Sequence, residues 1–550
     1  MSAPTFLRFL HRAAARRPLA AILAAALVAT LAAGPAVGRT LVFCSEGSPE
    51  SLDPALATTT TTMNATWQMY NALVEFVPGT TTIRPALAES WSVSEDGRTY
   101  VFTLREGVRF HANARFRPTR AMSAEDVVFS FARQWRPDHP FHGAGGFAYF
   151  RDLGLAELIE GIDALDARRV RFRLREADTT FLANVALALG GILSAEYAGQ
   201  LDAAGAREAL ETDPIGTGPF VFAGYQRDHT VRYRAFPEYW RRPSGAAGPG
   251  ERPDGLVFSI TPNAAVRLTK LRAGECQVMA FPAVGDLDAI RADPNLRVLS
   301  LAELNVSYLA LNTTRAPLDD VRVRRAITLA IDREAIVASV YGPTGTRARG
   351  ALPPGAWAYD RDLADAPFDR DAALRLLAEA GWRDGFAIDL WYPSVSRPYN
   401  PNGRRVADMI QADLAEVGIR ASLVTRPWPE YRSALYAGVP TMMLYGWTSD
   451  NGDPDNFLSV LLGCKAAKPG GANLARWCEP AYDARVEAAR RIEAREARNV
   501  LYREAQGLAG AAAPWVPLAH TIVHMGVRRD VVGFAMDPLG RQLFEEVGME

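Results

Sequence analysis

Residues 446–457 contain three carboxylates within six positions, placed between two aromatic residues. Their sequence is Gly-Trp-Thr-Ser-Asp-Asn-Gly-Asp-Pro-Asp-Asn-Phe, and the acids are Asp450, Asp453 and Asp455. The glycine and the proline between the acids exclude a regular helix, so the three side chains point in different directions. Such a cluster could bind a metal ion, bind an ammonium group, perform acid–base chemistry or cap a helix, and this segment alone leaves all of these alternatives open.

The rest of the sequence holds few residues that could complete a metal site or a catalytic site. It has no Gly-x-Ser-x-Gly nucleophile elbow, no Walker A loop and no Cys-x-x-Cys pair. His520 and His524 are four positions apart, but the β-branched residues between them predict a strand and no zinc-binding helix. We therefore predict no metal, no cofactor and no catalytic residue, and we interpret Asp453 and Asp455 as turn and helix-cap acids.

Several patterns predict the strands and helices that must position these side chains. Residues 99–105 and 170–174 alternate polar and apolar side chains, which is typical of half-buried strands. Ser123, followed by two acids, predicts the start of a helix, and residues 404–417 predict an amphipathic helix. Strands and helices mix without a strict βαβ rhythm, and 550 residues suggest roughly two to four domains.

The N-terminus has the pattern of a signal peptide. Basic residues precede an apolar run at residues 19–33, and small residues follow at positions 36–38. The run is about 15 residues long, whereas a membrane span needs roughly 20, so we prefer a cleaved signal over a membrane anchor. We predict that residues 1–38 form the signal peptide and that the mature protein is exported.

The cysteines agree with export, because an even number of them in an oxidising compartment predicts disulfides. Cys464 and Cys478 bracket a short loop and are predicted to pair with each other. Cys44 would then pair with Cys276 and tie the N-terminal segment of the mature chain to a distant segment.

Five segments of the sequence carry recognisable motifs: residues 86–100, 102–111, 124–130, 213–220 and 320–326. The longest reads Ala-Leu-Ala-Glu-Ser-Trp-Ser-Val-Ser-Glu-Asp-Gly-Arg-Thr-Tyr. Together they resemble the peptide- and nickel-class solute-binding proteins of ABC importers, which form family 5 of the extracytoplasmic solute-binding proteins. The resemblance implies an α/β, two-lobed periplasmic-binding-protein-like fold of the class II type, large peptide-binding subclass, with an extra inserted subdomain.

The resemblance also implies how the mature chain is divided. Residues 73–222 would form the inserted subdomain of lobe I, and residues 301–516 would form lobe II. Lobe I itself would be assembled from residues 39–72, 223–300 and 517–550. The chain would thus cross between the lobes, and the cleft between them could close by a hinge motion.

Within the family, residues 44–50, 397–402 and 446–457 resemble the members that bind dipeptides. The resemblance implies that Asp450 pairs with the α-ammonium group of the peptide and that Arg397 pairs with its α-carboxylate. The pairing is physically sensible, because each charge of a dipeptide that is buried in a closed cleft needs a partner, and arginine can grip a carboxylate with two hydrogen bonds.

The same resemblance implies the walls of the site. Trp428 and Trp447 would line the side-chain pockets, and Tyr399 would lie beside the carboxylate site. Ser449 stands where the family pattern has glycine, which leaves the shape of the pocket and the side-chain preference open.

The function implied is that of a binding protein and not of an enzyme. It would capture dipeptides in the periplasm as a monomer and deliver them to the permease and ATPase of an ABC importer in the inner membrane. A net charge of −1 argues against a nucleic-acid partner. One alternative is the same fold binding haem, a nickel chelate, glutathione or longer peptides. The other is an exported hydrolase that uses the acid cluster, for which no paired base, nucleophile or metal set is found.

Overall fold

Strands and helices alternate irregularly along residues 39–143, 146–241 and 250–550, which are the residues described by this computed structural model. The predicted signal peptide, residues 1–38, lies outside them. The strands are β1 Thr40–Ser45, β2 Val74–Phe76, β3 Ile83–Pro85, β4 Ala88–Val93, β5 Thr99–Leu104, β6 Ile159–Ala164, β7 Arg169–Leu174, β8 Phe220–Gln226, β9 Thr230–Ala235, β10 Gly255–Ile260, β11 Val278–Ala280, β12 Leu296–Ala302, β13 Asn305–Leu311, β14 Gly345–Arg347, β15 Phe386–Trp391, β16 Ile419–Val424, β17 Met442–Thr448, β18 Trp515–Arg528, β19 Val531–Val532 and β20 Gly548–Met549.

The helices lie between these strands and also follow one another in the second half of the chain. They are α1 Thr60–Trp67, α2 Ala124–Trp135, α3 Ala148–Asp152, α4 Leu155–Leu158, α5 Phe181–Val185, α6 Ala195–Ala203, α7 Ala209–Thr212, α8 Ala264–Ala273, α9 Leu287–Arg291, α10 Val321–Ala330, α11 Arg333–Ile336, α12 Arg370–Glu379, α13 Gly403–Ala415, α14 Trp428–Tyr436, α15 Asp455–Leu462, α16 Pro480–Arg490 and α17 Arg495–Ala512.

The long strand β18 connects the two parts of a 12-stranded sheet. Its residues up to Thr521 pair with β13 and β14, and its residues from Ile522 onward pair with β12 and then also β11. We call β1 and β8–β12 sheet I, and we call β13–β17 sheet II. Both sheets are therefore hydrogen-bonded to one shared strand. The chain also passes directly from sheet I to sheet II where β12 is followed by β13.

Sheet II is packed against the helix predicted at residues 404–417, which is confirmed as α13. Its buried residues Val406, Ile410 and Leu414 repeat at helical spacing and form one apolar cluster with Leu390 of β15 and Leu444 of β17. The amphipathic pattern of the sequence thus marks the face of the helix that covers the sheet.

A separate four-stranded sheet with the order β4-β5-β7-β6 lies between β3 and β8 in the chain. The strands predicted at residues 99–105 and 170–174 are confirmed as β5 and β7, which pair with each other. Ser123 is confirmed as the residue that precedes α2, and its backbone N–H donates to the Asp126 carboxylate over 2.8 Å. The predicted boundaries of the lobes and of the inserted subdomain stay a prediction.

Two disulfides are present in the described chain. Cys44 bonds to Cys276 with a Cα–Cα distance of 5.8 Å, and Cys464 bonds to Cys478 with a Cα–Cα distance of 4.5 Å. The first ties β1 to the residue two positions before β11, so it reinforces a parallel pair of strands within sheet I. Across the same described residues, the helices include none that combines the length and the apolar character needed to span a membrane.

Candidate functional site

One cavity brings the five predicted ligand-binding residues together. It lies where the threonine-rich segment that leads into α1 meets the end of β17 and the start of α14. The remaining lining comes from the threonines and from β17. The predicted residues are Arg397, Tyr399, Trp428, Trp447 and Asp450, and the others are Thr58, Thr59, Thr60, Tyr445, Gly446 and Thr448.

Asp450 forms the acidic end of this cavity, two residues after β17 ends. Its side chain is buried, and the hydroxyl of Tyr149 donates a hydrogen bond to its Oδ2. Burial raises the pKa of the Asp450 carboxyl to about 7, although the hydrogen bonds from Tyr149 and Asn456 act in the opposite direction. Burial thus disfavours the charged form of this carboxyl, and within the described residues no ion pair joins it to a cationic side chain.

Asn456 organises the acidic end through three hydrogen bonds. Its Oδ1 accepts from the backbone N–H of Asp450 over 2.9 Å and from the indole N–H of Trp447 over 2.9 Å. Its Nδ2 donates to the hydroxyl of Tyr149 over 3.2 Å. One amide therefore fixes the acid, one wall of the cavity and the tyrosine that contacts the acid.

Sequence reasoning missed both Tyr149 and Asn456. Asn456 lies inside the segment of the acid cluster and could have been found there, because a buried amide in a turn often bonds to nearby backbone. Tyr149 precedes Asp450 by 301 residues and lies on the short helix α3. No local pattern in the sequence links these two residues.

Arg397 forms the basic end of the cavity and is only 3% exposed. Its Nη1 lies 3.1 Å from Thr61 Oγ1 and 3.4 Å from Glu46 Oε1. The guanidinium also lies 4.6 Å from the centre of the Trp428 ring, close enough for a cation–π interaction. Its Nε is buried without a hydrogen-bond partner, so the group keeps a donor for a further acceptor.

Aromatic rings form the wall between the two ends. Trp428 is stacked with Tyr445 at a centroid distance of 6.1 Å and an angle of 10°, and Tyr399 lies 6.1 Å from Tyr445. A Cβ added to Gly446 would lie 2.2 Å from Cδ2 of Tyr399. Glycine at this position is therefore needed for Tyr399 to pack against β17, which explains the Gly-Trp pair of the sequence.

Ser449 lies behind the cavity and does not line it. Its side chain is fully buried, and its Oγ accepts a hydrogen bond from the backbone N–H of Gly452 over 2.9 Å. Gly452 has a φ of +73°, which glycine adopts without strain. The hydroxyl thus braces the turn that carries Asp450, and the departure from the family pattern does not add a group to the cavity wall.

The other two acids of the cluster have structural roles. Asp453 accepts the backbone N–H of Asp455 at the start of α15 over 3.0 Å and is paired with Arg498 at 2.7 Å. Asp455 lies in the first turn of α15, and its Oδ2 is 4.0 Å from Arg490. The prediction of turn and helix-cap acids is confirmed for Asp453, and Asp455 is a buried acid of the first helical turn.

The two histidines spaced four apart lie on β18, as predicted, and bond to neighbouring strands. Nδ1 of His520 is 2.8 Å from the carbonyl oxygen of Asn305, and Nδ1 of His524 is 2.7 Å from Ser300 Oγ. In the part of the chain that the structure describes, no three His, Cys, Asp or Glu side chains come together in a way that could hold a metal ion.

Comparison with known families identifies one match that covers most of the chain. Residues 82–469 match the family described as bacterial extracellular solute-binding proteins, family 5 Middle. The dipeptide-binding protein of Escherichia coli (strain K12) is 45% identical over 529 residues, which cover 95% of this chain and 97% of that protein. The heme-binding protein A of Haemophilus influenzae is 42% identical over 516 residues, which cover 93% of this chain and 92% of that protein.

Solved structures show the same architecture. The dipeptide-binding protein from Pseudoalteromonas sp. SM9913, in complex with Met-Leu, superimposes with a TM-score of 0.89 at 36% sequence identity. The superposition covers 93% of this chain and 100% of that one. The likeness therefore extends over most of the chain.

Proposed function

Because the chain belongs to the bacterial extracellular solute-binding proteins of family 5, we propose that it captures dipeptides in the cavity described above and delivers them to an ABC importer. The observation that carries the proposal is a single cavity lined by a buried carboxylate, Asp450, and by a buried guanidinium, Arg397. Its relatives include a dipeptide-binding protein and a structure with bound Met-Leu, which supports the same ligand class.

A free dipeptide fits such a cavity because it carries one ammonium group and one carboxylate at a nearly constant separation. Each charge would cost several kcal/mol to bury without a partner. Asp450 supplies the partner for the ammonium group, and Arg397 supplies the partner for the carboxylate. Longer peptides would carry their second charge beyond Arg397, so the two ends of the cavity measure the length of the ligand.

The side chains of the ligand would contact the flat walls formed by Trp428, Tyr445 and Trp447. Aromatic surfaces offer a large contact area and few directional requirements, so they accept many side chains. Tyr399 would lie beside the ligand carboxylate. Selectivity would thus come from the two terminal charges, and tolerance for side chains from the walls.

The work of the protein is binding and not catalysis. We propose that it acts in the periplasm after removal of residues 1–38, as a monomer, with the permease and ATPase of an ABC importer as its partners. We also propose that the chain is divided into lobe I, the inserted subdomain and lobe II as predicted from the sequence. Closure of the cleft around the ligand would then present the liganded form to the permease.

Haem is a second candidate ligand because one relative of 42% identity is a heme-binding protein. Protein ligands of haem iron are commonly histidine, cysteine, methionine or tyrosine. The described residues that line the cavity include two tyrosines and no histidine, cysteine or methionine. The two tyrosines are thus the ligands that the cavity could offer to haem iron, whereas the pair of opposite charges, Asp450 and Arg397, favours the dipeptide.

Isothermal titration tests the proposal with four ligands: Ala-Ala, Ala-Ala-Ala, N-acetyl-Ala-Ala and haem. We expect Ala-Ala to bind and both peptide analogues to bind much more weakly, since one lacks the ammonium group and the other places its carboxylate too far from Asp450. Tight binding of haem without binding of Ala-Ala would favour the second candidate. Release of free alanine from Ala-Ala would show a hydrolase.

The affinity for Ala-Ala should depend on pH in a way set by Asp450. The pKa of its carboxyl is about 7 because of burial, so below pH 7 the group is largely protonated and must lose its proton before it can pair with an ammonium group. The dissociation constant should therefore rise by up to about tenfold for each pH unit below this value. Above about pH 8 the ligand loses its own ammonium charge, so the affinity should be greatest in between.

Titration of Ala-Ala between pH 5.5 and pH 9 measures this dependence. The Asp450→Asn variant serves as the control, because it has no carboxyl to titrate at this position. Its dissociation constant for Ala-Ala should therefore stay constant between pH 5.5 and pH 7. An affinity that stays constant from pH 5.5 to pH 7 in the unmodified protein would contradict the role of Asp450.

A further inference from the structure

Arg432 connects two residues of the cavity wall, Tyr445 and Thr58, without lining the cavity itself. It lies on α14, four residues after Trp428, and its side chain is buried. Its Nε donates to the hydroxyl of Tyr445 over 3.2 Å, and its Nη2 donates to Thr58 Oγ1 over 2.8 Å. Tyr445 is in turn stacked on Trp428, so Arg432 holds one of the two stacked rings of this aromatic wall.

The partner of Arg432 comes from the other side of the cavity. Its Nη1 forms an ion pair with Oε2 of Glu50, which lies between β1 of sheet I and α1. Thr58 belongs to the same segment. Arg432 and Tyr445 belong to α14 and β17, which are part of the sheet II side. The ion pair therefore joins the sheet I side to the sheet II side behind the cavity.

Several further contacts surround the ion pair between Arg432 and Glu50. The guanidinium lies 4.9 Å from the centre of the Tyr436 ring, and its three donating nitrogens are used by Tyr445, Glu50 and Thr58. Oε2 of Glu50 makes the contact with Arg432, and Oε1 of Glu50 is buried without a hydrogen-bond partner. Separation of the two sides would break the contacts of Arg432 with Glu50 and Thr58 together, and both charges of the ion pair would then need to be hydrated again.

We propose that Arg432 is a positioning residue, which with Glu50 holds the cavity closed and its aromatic wall in place by contacts that do not involve the ligand. This inference rests on the proposed function. Part of the free energy that favours the closed form then comes from the protein itself and is the same for every dipeptide. Differences between ligand side chains would matter less, which agrees with a wall of flat rings that accepts many of them.

The test uses the full mature protein with Glu50→Gln, Arg432→Gln and the double variant. Titration and stopped-flow dissociation are measured with Ala-Ala, Ala-Leu and Leu-Ala. We expect each single variant to weaken all three ligands by a similar factor, about tenfold or more, mainly through faster dissociation. The double variant should lose about as much affinity as one single variant, because the two residues act as one unit.

Arg498→Gln is the matched control. Arg498 is also buried and paired with an acid, Asp453, but both residues lie outside the cavity and on the sheet II side. It should lower the melting temperature and leave the affinities unchanged. A loss of melting temperature without any change in dissociation rate in the Glu50 and Arg432 variants would overturn the proposal, and so would a change confined to one ligand.

A distance measurement separates this proposal from the proposed function. Spin labels are attached at two exposed positions, Val266→Cys and Leu374→Cys. Val266 lies on α8, which follows β10 of sheet I, and Leu374 lies on α12, which precedes β15 of sheet II. Without ligand, Glu50→Gln and Arg432→Gln should shift the distribution of label distances toward larger values. If Ala-Ala does not bind the unmodified protein, the proposed function fails, whereas an unchanged distance distribution in the variants would overturn the role of Arg432.

Discussion

Replacing Asp450 with asparagine should weaken the binding of Ala-Ala by about 30-fold or more. Removing one partner of a buried charge pair costs about 2–5 kcal/mol, and 1.4 kcal/mol corresponds to about tenfold in affinity. Asparagine keeps the shape of the side chain and the hydrogen bond from Tyr149, so the loss would come from the missing charge. Isothermal titration of the variant with Ala-Ala measures the effect.

Asp453→Asn is the matched control for this experiment, because it changes an acid of the same segment that is paired with Arg498. It should lower the free energy of unfolding and leave the affinity within a few-fold of the original. Titration with N-acetyl-Ala-Ala, which lacks the ammonium group, completes a double-mutant-type cycle between protein and ligand. Asp450→Asn should change the affinity for this ligand only slightly. An equal loss for both ligands would refute the pairing of Asp450 with the ammonium group.

Replacing Arg397 with glutamine should weaken Ala-Ala by a similar factor of about 30 or more, again because one partner of a buried charge pair is lost. The variant should also unfold more easily. Glu46 is buried against Arg397, and breaking a buried ion pair by removing one partner costs about 3–5 kcal/mol. Thermal unfolding and titration measure the two effects separately.

The double variant Glu46→Gln/Arg397→Gln separates the two roles of the arginine. It leaves no uncompensated carboxylate, so it should recover much of the lost stability while the affinity stays low. Titration with Ala-Ala amide, which has no carboxylate, should give nearly the same affinity with or without Arg397. Full recovery of Ala-Ala binding in the double variant would mean that Arg397 serves the fold and not the ligand.

Patterns along the chain predicted the local elements well. Period-two alternation marked β5 and β7, and helical spacing of apolar residues marked α13, because these elements bury one face against the core and the residues of that face repeat regularly. The turn around Gly452 and Pro454 was predictable for the same reason, since backbone preferences act within a few residues.

The acid cluster shows the limit of such reasoning. Its sequence did not decide between a metal site, an ammonium site and helix caps, because the three acids have the same chemistry and nearly the same local setting. In the structure, Asp453 contacts Arg498 and the start of α15, whereas Asp450 faces the cavity. The difference comes from the distant residues that pack around each acid.

Motifs named the five candidate residues, and their resemblance to a family supplied the roles that composition and spacing alone do not contain. The contacts that hold those residues were decided by the tertiary structure. Tyr149 comes from α3 and bonds to Asp450, and Glu46 follows β1 and bonds to Arg397 across 351 positions of sequence. Hydrophobic periodicity determines which face of each element is buried, but not which elements meet. Patterns along the chain therefore specify the elements and the candidate residues, whereas the cavity, its buried partners and the Arg432–Glu50 pair exist only because distant segments pack together.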